Sequence, residues 1–210
     1  MENKLNTNPW LSIWTKPRQT IQEIVNFNPR FRFVTLSFVY GFPLVLSGAQ
    51  RMSVGESWSL SFVIIMSLVL AIPIGAIALS FYSLLLLWTG KLLKGGATYY
   101  QIRSAVSWSN VPTLFNCAMW VIFLAMFGGR LFQAGFPEFP LAGAEAFVFM
   151  GLMLITLVTS VWGFIILLLT LGQVQGYSAW MALLNVVFIF LILIGVSYII
   201  NLLTTFFYVS

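Results

Sequence analysis

From Ala146 to Ser210 the chain carries no aspartate, glutamate, lysine or arginine. A second stretch, Leu60 to Thr89, is equally free of charge. A water-soluble fold cannot cover its surface with such segments. Across the whole chain charged residues make up 7% and hydrophobic ones 60%, against about 25% and about 45–50% in soluble domains. The surplus apolar surface is therefore expected to face lipid.

A bilayer core of about 30 Å is crossed by about 20 apolar residues at helical rise. The sequence predicts an all-α, polytopic membrane helix bundle with about five spans, at residues 33–49, 60–89, 105–127, 146–171 and 179–208. The first span carries Gly41 and Pro43. Helices are expected rather than barrel strands, because runs such as Ser67 to Leu87 do not alternate apolar and polar residues. A helix also pairs its backbone groups within the segment, as lipid demands.

Eight of the ten basic residues fall on one side of this layout. Lys4, Lys16, Arg18, Arg30 and Arg32 precede the first span, and Lys91, Lys94 and Arg103 follow the second. Arg51 and Arg130 lie on the other side. The positive-inside rule then predicts a cytoplasmic N-terminus and, after five crossings, an external C-terminus. Residues 1–32 form the cytoplasmic segment and 33–210 the five-helix domain. A segment of that length before the first span argues against a cleaved signal at Ser47-Gly48-Ala49.

Within residues 1–32, Pro17 suits the first helical position. Ile21, Ile24 and Val25 recur at helical spacing between Gln19, Gln22 and Glu23. This predicts a short amphipathic helix lying on the membrane surface, with Trp10, Trp14, Lys16 and Arg18 as interfacial anchors. After the second span, Gly95-Gly96 is expected to break the helix. Thr98 then caps a new one, with Gln101 completing a capping box. Val111-Pro112 predicts a kink in the third span, with Ser109 and Asn110 bonding backbone groups that Pro112 leaves free. Gly172 to Ser178 repeats the plan in outline, a weak internal repeat of spans two–three and four–five. Ser67, Ala71 and Gly75 form a ridge of small residues suited to close helix packing, as do Ser160 and Gly163.

Little chemistry is available to this chain. Cys117 is the single cysteine and there is no histidine. An intrachain disulfide and the common zinc sets are thereby excluded. No ionisable residue lies deep in a span, where pumps keep their relays. Glu56, Glu138 and Glu145 belong to external loops, and Glu2 and Glu23 to the N-terminal segment. No enzyme activity, cofactor or metal is expected. The charges are too dispersed for a nucleic-acid face. Lys91, Lys94, Gly95, Gly96, Thr98, Gln101 and Arg103 form the candidate binding loop. Its spacing is not that of a P-loop, and anionic lipid headgroups are the expected partner.

Leu93-Lys94-Gly95-Gly96, then Thr98-Tyr-Tyr-Gln101, then Ala105, Ser107, Ser109 and Val111-Pro112 resemble the Yip1 domain family over nearly the whole chain. Pro9-Trp10 with Trp14, Pro17 and Asn28-Pro29 is similar to its bacterial branch, which implies a multi-pass protein of the bacterial inner membrane. The resemblance implies a five-span membrane domain. Eukaryotic members, with a longer cytosolic N-terminal region, are linked to vesicle traffic and to prenylated Rab-type small GTPases.

Two functions fit. One is a non-catalytic membrane organiser or adaptor that binds a membrane or cytosolic protein partner, or lipid, through its cytoplasmic loops. The alternative is a permease, or a permease subunit, for a neutral or lipid-like molecule. A conduit should gather Ser107, Ser109, Asn110, Asn116 and Asn185 around one wet space. An adaptor should bury them in separate hydrogen bonds.

Overall fold

The computed structural model describes residues 5, 7–136 and 143–209; Glu2, Lys4 and Glu138 lie outside them. Among the described residues the chain is helical, with no strand. Its helices are α1 (Pro9–Ser12), α2 (Pro17–Phe27), α3 (Phe33–Arg51), α4 (Leu60–Leu92), α5 (Tyr99–Ser109), α6 (Thr113–Phe127), α7 (Gly143–Gln175) and α8 (Ala179–Val209). Short 3-10 turns follow α3 and α6. Five helical segments are long and apolar enough to cross a membrane: Phe33–Arg51, Leu60–Leu92, Thr113–Phe132, Gly143–Gln175 and Ala179–Leu202.

The tightest pairing is α3 on α4. Val63, Ser67, Ala71, Gly75, Leu79 and Ser83 recur every fourth residue along α4, and all are buried. Their small members let the backbones meet. A Cβ on Gly75 would overlap the Ser37 carbonyl oxygen, and one on Gly41 would overlap that of Ala71. Apolar attraction between helices is weak in lipid, so such close approach is what holds a pair together. The hydroxyls of Ser67 and Ser83 donate to the carbonyls of Val63 and Leu79 at 2.7 and 2.6 Å.

The third span differs from the continuous kinked helix expected over 105–127. Helix α5 ends at Ser109 and α6 starts at Thr113. Between them Asn110 and Val111 donate to the carbonyls three residues back, at 3.2 Å each. The Val106 carbonyl loses its helical partner there, and Ser109 Oγ and Asn110 Nδ2 both donate to it at 2.8 Å. The carbonyl that lacks the Pro112 N–H is that of Trp108, which the Val111 N–H meets. The two polar side chains thus serve the Val106 carbonyl instead of the one expected, and the outcome is a full break. Helix α5 becomes a separate buried rod whose residues Ser104 to Ser109 are all buried.

The N-terminal segment also differs from expectation. Ile13, Ile21 and Ile24 are 0% exposed, because α2 packs on α5 and α7. The Trp10 ring meets Trp108 edge-on at 5.2 Å, and Trp14 meets Phe115 at 5.8 Å. The isoleucine face predicted to lie on lipid is turned instead onto protein. Bundle and bilayer are both apolar partners for such a face, and the sequence pattern does not distinguish them. Lys16 and Arg18 remain exposed.

Helix α8 is anchored at one end. Ala182, Asn185, Val186 and Ile189 are buried, whereas Phe190 to Leu202 are exposed on every face.

Candidate functional site

Three elements meet at one end of the bundle: α2, the turn after α4 and the turn after α7. We call it the basic end. Helix α4 closes in a Schellman motif. The Gly95 N–H donates to the Gly90 carbonyl at 2.9 Å and that of Lys94 to Lys91 at 3.1 Å. The left-handed position is taken by Lys94, at φ 61°, and not by either glycine. Helix α7 closes similarly, with Tyr177 N–H on the Gly172 carbonyl at 3.0 Å and Gly176 left-handed at φ 78°. The two hairpins therefore share a helix stop. The likeness ends beyond it, since α8 has no counterpart of the α5–α6 break.

The two turns are bonded together. Gly96 N–H donates to the Gln175 carbonyl at 3.2 Å, and Ala97 N–H to Gln175 Oε1 at 3.3 Å. A Cβ on Gly90 or on Gly95 would strike the Gln175 amide. The glycines are thus explained by a close approach as well as by a helix stop. One turn deeper, Asn185 ties α8 to α4. Its Oδ1 accepts from Thr89 Oγ1. Its Nδ2 donates to the Leu86 carbonyl at 3.2 Å and to the Tyr177 hydroxyl at 2.7 Å. Burial raises the Tyr177 pKa above its usual 10.0, more than the bond with Asn185 lowers it.

Thr98 starts α5 with its N–H donating to Gln101 Oε1 at 2.8 Å, as predicted. Lys91, Lys94 and Gly96 are exposed beside it. Arg103 is drawn away from solvent. Its guanidinium lies 4.0 Å over the Phe33 ring and 5.0 Å over Tyr100, and Arg30 lies 4.1 Å over the same Tyr100 ring. Arg103 Nε is buried with no protein partner. Among the described residues Glu23 is the one carboxylate at this end, and it accepts from Thr7 and Gln19 at 3.2 Å each. The sequence singled out Arg103 but not Arg30 or Tyr100. Their pairing depends on α5 docking beside the start of α3, which the chain order does not reveal.

A second feature lies inside the bundle. Helices α3 to α7 enclose a cavity of about 900 Å³. Ser109, Asn110 and Pro112 line it, as does Asn116. Asn185 sits in the knot just described, and Ser107 is buried elsewhere, with its hydroxyl unpartnered. Tyr40, Tyr82, Thr156, Thr159 and Ser160 complete the polar lining, and sequence reasoning did not place them there. On α7 the signal existed as spacing: 156, 160 and 163 share a helical face with 167.

Long apolar helices, close small-residue packing and basic residues gathered at one end define an integral, multi-pass helical membrane protein. The family model of the Yip1 domain matches residues 11–200, and the chain belongs to that family. Neither the curated proteins nor the solved structures give a significant match.

Proposed function

We propose that this chain is a non-catalytic membrane organiser. Its basic end faces the cytoplasm of a bacterial cell, binds anionic lipid headgroups and offers the same face to a partner protein. The observation that carries this reading is the pair of arginines over one tyrosine ring. Among the described residues no carboxylate pairs with either guanidinium, and a phosphate bound beside them supplies the missing negative charge. Guanidinium is suited to phosphate because its N–H groups can engage two oxygens at once. Lys91 and Lys94, exposed on the adjoining turn, add attraction of about 1 kcal/mol each near an anionic surface.

Delipidated protein should be stabilised by phosphatidylglycerol more than by phosphatidylcholine, read as a shift in thermal midpoint. Arg103→Gln and Arg30→Gln should each weaken phosphatidylglycerol binding about fivefold. An unchanged preference in the double variant would overturn the reading. Capture of a stoichiometric protein from native membranes, lost in Gly95→Leu with Gly96→Leu, tests the adaptor half. The cavity favours the permease reading as the second one.

A further inference from the structure

The lining of the cavity runs from Val106 and Leu167, toward the basic end, to Arg51 and Gln133 toward the other end, which we take as its mouth. Helix α7 makes no extended packing on α3 or α4, and the cavity lies between them. Helix α8 joins α4 and α7 at the basic end but contributes no residue to the lining. From Phe190 to Leu202 it is exposed all round. The wall between α4 and α7 therefore stands open toward lipid in the leaflet remote from the basic end.

The lining selects among ligands. Among the described residues Arg51 is the one charged side chain on it, at the mouth. Tyr40 lies on α3 about 16 Å below Arg51 at the usual helical rise. The groups around it are neutral: Tyr82 on α4, Asn110 before α6, Asn116 on α6 and Thr159 on α7. Asn110 Nδ2 is occupied by the Val106 carbonyl, which leaves its Oδ1 to accept. Thr159 Oγ1 lies 3.3 Å from Asn116 Oδ1, but its one proton has the nearer Ile155 carbonyl at 2.9 Å, which leaves the Asn116 amide to donate and to accept. A charged head group would lose its hydration at this depth with no counter-ion to replace it. A bare hydrocarbon chain would leave the tyrosine and asparagine groups without partners. The volume falls within the roughly 300–1,000 Å³ of small-molecule sites, which are mostly apolar with a few convergent polar groups.

We propose that this cavity binds an uncharged amphiphile with hydroxyl and carbonyl oxygens, of the diacylglycerol type. The head group sits among Tyr40, Tyr82, Asn110 and Asn116. The hydrocarbon chains leave between α4 and α7 into the bilayer. This site is separate from the arginine pair, and either can fail without the other.

Trp120 lines the cavity and supplies the readout. The full chain in nanodiscs is titrated with chain-brominated diacylglycerol, and tryptophan quenching is compared with that in a Trp120→Phe variant. The Trp120 component should quench saturably. Brominated phosphatidylcholine and phosphatidic acid should quench it far less. Tyr82→Phe and Asn116→Leu should each weaken the diacylglycerol curve about tenfold, the loss of one hydrogen bond to a neutral ligand, while Arg51→Gln leaves it unchanged. Ser160→Phe, on the open wall, should block the site with the helix content and melting of the parent, so the test stands even where Asn116→Leu misfolds. Equal quenching by the three lipids overturns the proposal, as does quenching indifferent to Ser160→Phe. Binding of phosphatidic acid that depends on Arg51 also overturns it, in favour of a charged head group held at the mouth.

Discussion

Helix α8 should come away from the bundle when Asn185 is replaced. Its buried contacts are confined to the first three turns, and Asn185 supplies the cross-helix polar bonds among them, to Thr89 and to Leu86 of α4. With the Tyr177 bond the side chain makes three. Hydrogen bonds between membrane helices average about 0.6 kcal/mol and reach about 1.7. Asn185→Leu should therefore cost about 2 kcal/mol, and Thr89→Val about 0.6–1 kcal/mol. Thr89 Oγ1 has the Leu85 carbonyl at 2.9 Å within its own helix as an alternative acceptor, so Asn185→Leu leaves no buried donor stranded on Thr89. The double variant should cost no more than Asn185→Leu alone, a coupling of about 0.6–1 kcal/mol. The assay is unfolding in mixed micelles titrated with a denaturing detergent, with hydrogen exchange along α8 as the local readout. Exchange should rise along α8 as far as Leu202, since no residue from Phe190 to Leu202 is buried. Additivity of the two substitutions within about 0.3 kcal/mol, or protection of α8 unchanged by Asn185→Leu, would refute the reasoning.

Three further outcomes follow from the same geometry. Lys94→Gly should stabilise the chain by about 1 kcal/mol in the same titration, since a side chain in the left-handed region costs about 1–2 kcal/mol and Lys94 sits at φ 61°. Trp108→Ala should cost about 3–5 kcal/mol. Trp108 is 0% exposed and packs on Trp10 and Phe31, so its loss should also speed tryptic cleavage after Arg18. The raised pKa of Tyr177 means that its phenol favours the folded state only while protonated. That contribution is complete below the unfolded value of about 10 and is lost as pH rises through the folded value. Alkaline melts should show the α7–α8 hairpin loosening in that window, and Tyr177→Phe should remove part of the dependence.

The spanning helices were legible because lipid imposes a constraint on composition that no packing detail alters. The small-residue ridge of Ser67, Ala71 and Gly75 was legible for a related reason: close backbone approach needs small residues wherever the partner lies. The break at Asn110 to Pro112 was visible as a kink, but its severity depended on α5 finding enough protein to bury itself in. The burial of Ile21 and Ile24 was visible as an apolar face without its partner. The cavity was the least legible. Thr156 and Thr159 each satisfy themselves on the carbonyl four residues back, at 3.0 and 2.9 Å, so each reads singly as a harmless polar residue within a helix. Only the separation of α7 from α3 and α4 turns them into a wall.

That separation follows from how the two ends are built. At the basic end two glycine-containing turns interlock through Gln175, Asn185 joins three elements, and α2 seals α5 from outside. At the other end the described polar cross-links are slighter, such as Ala134 N–H donating to Glu56 Oε1 at 3.3 Å, and α7 is held there through Leu152 in an apolar cluster with Phe123, Phe127 and Phe132. Apolar contact is a weak tie between helices in lipid, so α7 and α8 are not drawn onto α3 and α4 along their full length. A tightly bonded basic end and a parted bundle beyond it are thus consequences of one distribution of polar residues. A ligand in the parted half that touches Thr156, Thr159 or Ser160 acts on α7, which runs into the turn that holds Gln175 and Tyr177. A ligand in the cavity and a partner on the basic face would then bias the same hairpin, through α7 and its Schellman turn rather than through any contact between the two sites.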